Sequence, residues 1–134
     1  HKAITVEEGT DAVIFTNGET LAESIIASQE LKKEHISVKV VNVPVVKPLD
    51  QTTILNAAKD TKFAITVENH SIIGGLGSAV CETLSAFCPK KVYRIGIEDK
   101  FGQSGEAKEL MEFYGLDAKS LTDKIRIIFQ KEVE

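Results

Sequence analysis

An acid, an amide and an imidazole, Glu68, Asn69 and His70, stand between the β-branched run Ile65-Thr66-Val67 and the glycine cluster Gly74-Gly75-Leu76-Gly77. On an extended segment Glu68 and His70 project to one side, where a carboxylate and an imidazole can act as an acid and base pair. No nucleophile within the motif completes a catalytic set. The favoured reading is structural: Glu68 accepts hydrogen bonds from loop amides, and His70 serves a subunit contact. The glycines offer a similar choice. They can present free amides and a helix dipole to a phosphate or carboxylate, or they can let the following helix pack closely against its strand or a partner chain. Close packing is favoured. The run is not a P-loop, because no Gly-Lys-Ser/Thr follows, and it lacks the G-x-G-x-x-G dinucleotide fingerprint.

Other chemistry-bearing residues are dispersed. His1, His35 and His70 are far apart and no C-x-x-C occurs, so neither a metal set nor a redox pair is expected. Cys81 and Cys88 fall on one predicted helix, roughly 10 Å apart along its axis, too far to bridge; they read as reduced core thiols. Phe101-Gly102-Gln103-Ser104-Gly105 has the composition of a lid or docking loop, and Ser104 equally well caps a helix. Lys32-Lys33 and Lys90-Lys91 are solvated turn ends.

The elements that must hold these residues alternate. Strands are expected at Ala3–Val6, Asp11–Thr16, Ile36–Val43, Lys62–Glu68 and Val92–Ile97. The first two run in opposite directions around Glu7-Glu8-Gly9-Thr10, and the second is apolar on both faces, as a central strand would be. Thr20-Leu21-Ala22-Glu23 reads as a capping box for a helix reaching about Glu34, with Leu21, Ala22, Ile25, Ile26 and Leu31 inward. Pro44 and Pro48 end the third strand, and Asp50 caps a helix through Asp60. The helix after the glycine cluster places Leu76, Val80, Leu84 and Phe87 on one stripe. Ala107, Leu110, Met111 and Tyr114 form another, closed by Gly115 with Leu116, before a last helix from Asp117 that buries Ala118, Leu121, Ile125 and Ile128. Strands alternating with helices call for a mostly parallel sheet covered on both faces, with only the first strand opposed.

Size and charge narrow the classes. A chain of 134 residues, 43% hydrophobic and 27% charged, supports one domain with a real core. Its net charge of -4 and pI near 5.4 give no field for phosphate backbones, so nucleic acid is not an expected partner. No apolar run is long enough for a bilayer, and nothing behind His1 resembles a secretory signal, so a cytoplasmic protein is expected. A first element already poised as a strand suggests residues 1–134 are a single domain from a longer chain.

The run Val67-Glu68-Asn69-His70-Ser71-Ile72-Ile73-Gly74-Gly75-Leu76-Gly77-Ser78-Ala79-Val80 resembles the V-E-x-H-x-x-x-G-G-L-G-S-A-V signature of transketolase C-terminal domains. Further matches are spaced along the chain: Lys2-Ala3-Ile4, Asn17-Gly18-Glu19, Lys47-Pro48-Leu49-Asp50, Arg94-Ile95-Gly96, Asp99 to Gly105, and Gly115-Leu116-Asp117-Ala118. The chain is also similar to the C-terminal parts of 1-deoxyxylulose-5-phosphate synthase and of 2-oxoacid dehydrogenase beta chains. Leu76, Phe101, Gly102 and Gln103-Ser104-Gly105 favour the transketolase branch. Many relatives carry an acid where Asn69 stands.

The resemblance implies a three-layer α/β/α domain with a five-stranded mixed sheet, order 1-3-2-4-5, strand 1 antiparallel. Thr16, Asn17, Glu68, Asn69 and His70 would then border the switch-point crevice. With Gly74, Gly75, Gly77, Phe101 and Ser104 they are the candidate crevice or interface residues. The family's enzymes transfer two carbons between sugar phosphates, a step of the pentose phosphate pathway, using thiamine diphosphate and a divalent metal, Mg or Ca. The motifs that hold and activate that cofactor belong to other domains, so no catalytic, cofactor-binding or metal residue is expected here. The expected partners are the remaining transketolase domains or an N-terminal subunit, in a parent homodimer. The alternatives are a small-molecule or anion-binding regulatory module using the crevice, and the C-terminal domain of the synthase.

Overall fold

The computed structural model describes residues 2–71, 75–97 and 107–134. Its centre is β2 (Ala12–Thr16), buried along its whole length. This strand pairs in parallel with β3 (Val38–Asn42) on one side and β4 (Phe63–Ser71) on the other, with Thr16 opposite Asn42 and Val67. Next to β4 runs β5 (Val92–Ile97), also parallel, and β1 (Ile4–Glu7) pairs antiparallel with β3 at the far edge. The order β1-β3-β2-β4-β5 agrees with the expected 1-3-2-4-5. The Glu7 to Thr10 turn therefore leads across β3 rather than closing a hairpin.

Alternation along the strands sorts the core into two layers. Ala12, Ile14, Val38, Val40, Phe63 and Ile65 face α1 (Glu19–Lys32) and α5 (Ala118–Glu132), where Leu31, Leu121 and Ile125 meet them. Val13, Phe15, Val41, Val43 and Ala64 face α2 (Gln51–Lys59) and α3 (Leu76–Phe87), against Ile54, Ala58, Val80 and Leu84. Each large apolar side chain so buried contributes about 1.5–3 kcal/mol before entropy is counted. No described helix is long and apolar enough to cross a membrane.

Helix ends follow local chemistry. Asp50 caps α2 through the Thr53 amide at 3.2 Å, and Asp117 caps α5 through Ser120 at 3.4 Å. Gly115, at φ +71°, ends α4 (Ala107–Tyr114) in the left-handed region, which lets the Leu116 amide reach back to the Met111 carbonyl at 2.7 Å. Leu116 is buried behind it.

Several expectations need correction. Thr20 and Glu23 do not form a capping box. Gly18 precedes the first turn of α1, the Thr20 hydroxyl donates to the Asn17 carbonyl at 2.8 Å, and Glu23 accepts from the Ala118 amide of α5 at 3.2 Å. Leu31 is buried as expected and Leu21 and Ile25 pack partly buried against the same layer, but Ala22 and Ile26 are exposed and the other fully buried positions of α1 are Thr20, Ser24, Ala27 and Ser28. Small side chains let this helix sit close to the sheet, so its inward stripe does not register as apolar. Phe87, in the last turn of α3, is 65% exposed; the buried stripe stops at Leu84. Cys81 and Cys88 are half-buried rather than core residues. The lid or docking loop at Phe101 and Ser104 lies outside the described residues.

Candidate functional site

The carboxyl ends of β2 and β4 lie side by side, and what their side chains do there is largely inward. The Thr16 hydroxyl donates to the Val67 carbonyl at 2.8 Å and lies 2.8 Å from the Thr20 hydroxyl, which itself stands 3.3 Å from that carbonyl. Asn17 Nδ2 donates to the Val43 carbonyl at 2.9 Å, and the Val43 amide donates to the Thr16 carbonyl at 2.8 Å. Asn17 thereby ties loop 17–18 to the segment after β3, while the Thr16 hydroxyl binds a backbone oxygen within β4 instead of facing outward.

Glu68 supplies the second half of the junction. Its side chain is 2% exposed, and its two carboxylate oxygens accept from the Leu76 amide at 3.0 Å and the Gly77 amide at 2.9 Å. A buried carboxylate on the first amides of a helix is a charge-assisted cap that also meets the positive end of the helix dipole. Gly75 precedes the helix and Gly77 occupies its first turn. The close approach at Gly77 is severe: a β-carbon there would stand 2.6 Å from Arg94 Nε, 2.9 Å from Glu68 Oε2 and 3.0 Å from Thr66 Oγ1.

Arg94 and Thr66 complete this cluster and were missed by reasoning from sequence. Thr66 lies two residues before Glu68 on the same face of β4, and the parallel register sets Arg94 of β5 directly beside Thr66. Arg94 Nη2 donates to Ser78 Oγ at 2.9 Å. Among the described residues the fully buried Thr66 hydroxyl has no hydrogen-bond partner. The alternation Thr66, Glu68 was legible; the neighbour from β5 depended on strand register. Burial pushes the Cys81 thiol on α3 up from its ordinary value, outweighing the pull of Arg94, so it is a poor nucleophile.

Of the sequence candidates, then, Thr16, Asn17, Glu68, Gly75 and Gly77 come together at this edge, and Asn69 continues β4 half-buried beside them. His70 is placed in β4 by its backbone alone. Gly74, Phe101 and Ser104 lie outside the described residues. No group of three or more His, Cys, Asp or Glu side chains able to hold a metal occurs among the described residues. At the opposite edge, a groove of about 360 Å³ is lined by Glu7, Glu8, Thr10, Gln29 and Lys32 among others. Gln29 there donates to Glu7 at 2.9 Å.

A three-layer α/β/α sandwich with this strand order and a switch point closed by its own hydroxyls and carboxylate defines one class of doubly wound domain. Residues 1–121 match the family described as transketolase, C-terminal domain, and the chain belongs to that family. It is 42% identical over 120 residues to the 6-deoxy-6-sulfo-D-fructose transketolase subunit SqwH of Clostridium sp., covering 90% of this chain and 37% of that protein. It is 40% identical over 122 residues to the 1-deoxy-D-xylulose-5-phosphate synthase of Caldanaerobacter subterraneus, covering 88% of this chain and 19% of that one. A solved structure described as a split gene transketolase, inactive beta4 tetramer, superposes with a TM-score of 0.88 at 35% identity, over 96% of this chain and 42% of the other. The chain thus spans about two-fifths of the transketolase relatives and a fifth of the synthase.

Proposed function

We propose that this chain is the C-terminal domain of a transketolase, a scaffold that supports the enzyme's assembly while ketol transfer takes place on other domains. The observation that carries this reading is the Glu68 carboxylate seated on the Leu76 and Gly77 amides. A diphosphate would need those amides, and a buried negative charge already holds them. The described residues at this edge therefore do not fit thiamine diphosphate. Thr16, Thr20 and Asn17 bond backbone carbonyls there rather than turning outward to a substrate. Family membership and the greater length of the relatives support a parent that is larger than this domain. In that parent we place thiamine diphosphate with Mg or Ca, a homodimer, the pentose phosphate pathway and the cytoplasm.

Isothermal titration of the chain with thiamine diphosphate and Mg is the direct test. No heat of binding and no ketol transfer are expected from residues 1–134 alone, with both present in the longer parent. Tight, metal-dependent binding by this domain would overturn the reading.

A further inference from the structure

We propose that the outer edge of β1, with the apolar face that α1 adds to it, is a docking surface for a second copy of this chain, the two β1 strands pairing antiparallel about a two-fold axis. The inference concerns the chain itself and goes beyond the function proposed above, which does not depend on it. Among the described residues no strand lies on that edge of the sheet. An edge strand leaves a row of backbone donors and acceptors able to pair with another extended chain.

Register fixes which side chains stand there. Ile4 lies opposite Asn42 and Glu7 opposite Val40, so both share the sheet face that α1 covers, and alternation from Ile4 puts Val6 on it too. The register shift between Thr5 and Glu7 turns Val6 and Glu7 to one side. Helix α1 runs alongside. Gln29 Nε2 donates to Glu7 Oε1 at 2.9 Å, and Ala22, Ile26 and Gln29 follow the i, i+4, i+7 spacing of a single helical stripe. Ile4 is 59% exposed, Ile26 45% and Val6 40%, and Ala22 is exposed between them, with Leu21 and Ile25 partly buried beneath. The bond from Gln29 brings the helical stripe up to the strand, so these side chains make one apolar surface on the α1 side of β1.

Charge selects the occupant. Lys2 is exposed at one end of the strand, while Glu7 and Glu8 stand at the other, where they line the groove of about 360 Å³. An antiparallel pair centred on Thr5 sets Lys2 of each copy against Glu8 of the other, and Ile4 against Val6. Opposite charges then meet at both ends with apolar side chains between them. A parallel pair would bring like charges together. Charged residues usually guard an edge strand; here their sign reverses along it, so the edge accepts a copy of itself in one orientation.

Sedimentation velocity on residues 1–134 at rising concentration tests the proposal, and a concentration-dependent dimer is expected. Lys2→Glu and Glu8→Lys should each weaken it about tenfold or more, because two-fold symmetry turns two attractive pairs repulsive at once. The double variant should restore it. Ile4→Asp should abolish the dimer and, at so exposed a position, leave the thermal midpoint of the chain nearly unchanged. A strict monomer at millimolar concentration overturns the proposal. So does a dimer that withstands Ile4→Asp, one indifferent to both charge reversals, or one that the double variant fails to restore. Cofactor binding and ketol transfer, which test the function proposed above, are read separately from all of these.

Discussion

The Gly77 amide donates to Glu68 Oε2 at 2.9 Å, and a β-carbon on Gly77 would stand 2.9 Å from that same oxygen. The bond forms at its observed length only because residue 77 has no side chain. Gly77→Ala sets two effects against each other. Helix propensity favours alanine by about 1 kcal/mol. Against this stand crowding of Thr66, Glu68 and Arg94 and a weakened carboxylate cap, together about 2–4 kcal/mol. Crowding wins, and urea titration should find the variant less stable by about 1–3 kcal/mol.

Glu68→Gln keeps the shape and removes the charge. The amides of Leu76 and Gly77 both donate to the side chain, and a carboxamide offers one acceptor oxygen and a donor group. A loss of about 1.5–3 kcal/mol is expected by chemical denaturation. Rapid amide exchange at Leu76 and Gly77 in the variant should accompany it. A variant as stable as the parent chain with unchanged exchange would show that the clamp does not hold the helix.

Thr16→Val tests the hydroxyl network with an isosteric change. After the loss of the Thr16 donor the Thr20 hydroxyl, 3.3 Å away, can reach the Val67 carbonyl only by giving up its bond to the Asn17 carbonyl. The cost should be about 1 kcal/mol. Thr16→Val combined with Thr20→Val leaves the buried carbonyl with neither hydroxyl and should exceed the sum of the single changes in a double-mutant cycle.

Acid should loosen the packing of α5 on α1 and β5. The Arg126 guanidinium binds both oxygens of Glu34, at 2.6 and 2.7 Å, and holds the Glu34 carboxyl below its ordinary value. Hydrogen bonds from Arg126 and then Lys119 lower Asp123, and the Tyr93 hydroxyl, followed by Lys91, lowers Glu132. Carboxyls depressed in the folded state add stability above their unfolded values of about 4, and that stability is lost as pH falls through the folded ones. The thermal midpoint should be flat from pH 7 to about 5 and then drop. Glu34→Gln with Glu132→Gln should make the drop shallower, and so should high salt, because these pairs are partly open to solvent.

The legibility of this fold in its sequence followed burial. β2, apolar on both faces, announced a central strand; Asp50, Asp117 and Gly115 marked helix ends where they were expected. The inward face of α1 was hidden because Thr20, Ser24 and Ser28 are polar residues used for close packing, and Ser28 bonds the Val38 carbonyl at 2.7 Å. Glu23 looked like a local cap, whereas its partner amide lies 95 residues away. At the site, Glu68 and the glycines were legible because they are contiguous. Arg94 was not, since only the register of β5 on β4 brings it to Thr66.

The closing helix has a consequence for how the molecule is made. Glu23 and Glu34 are translated before Ala118 and Arg126 and wait for them, with bonds that span 95 and 92 residues. On a ribosome, α1 and the first three strands can gather, yet one layer of their core stays wet until α5 emerges. Loop-closure entropy makes such distant pairings slow to form. Shielding of that layer thus depends on α5, and truncation after Leu121 should yield a chain that chaperones retain rather than a smaller native domain.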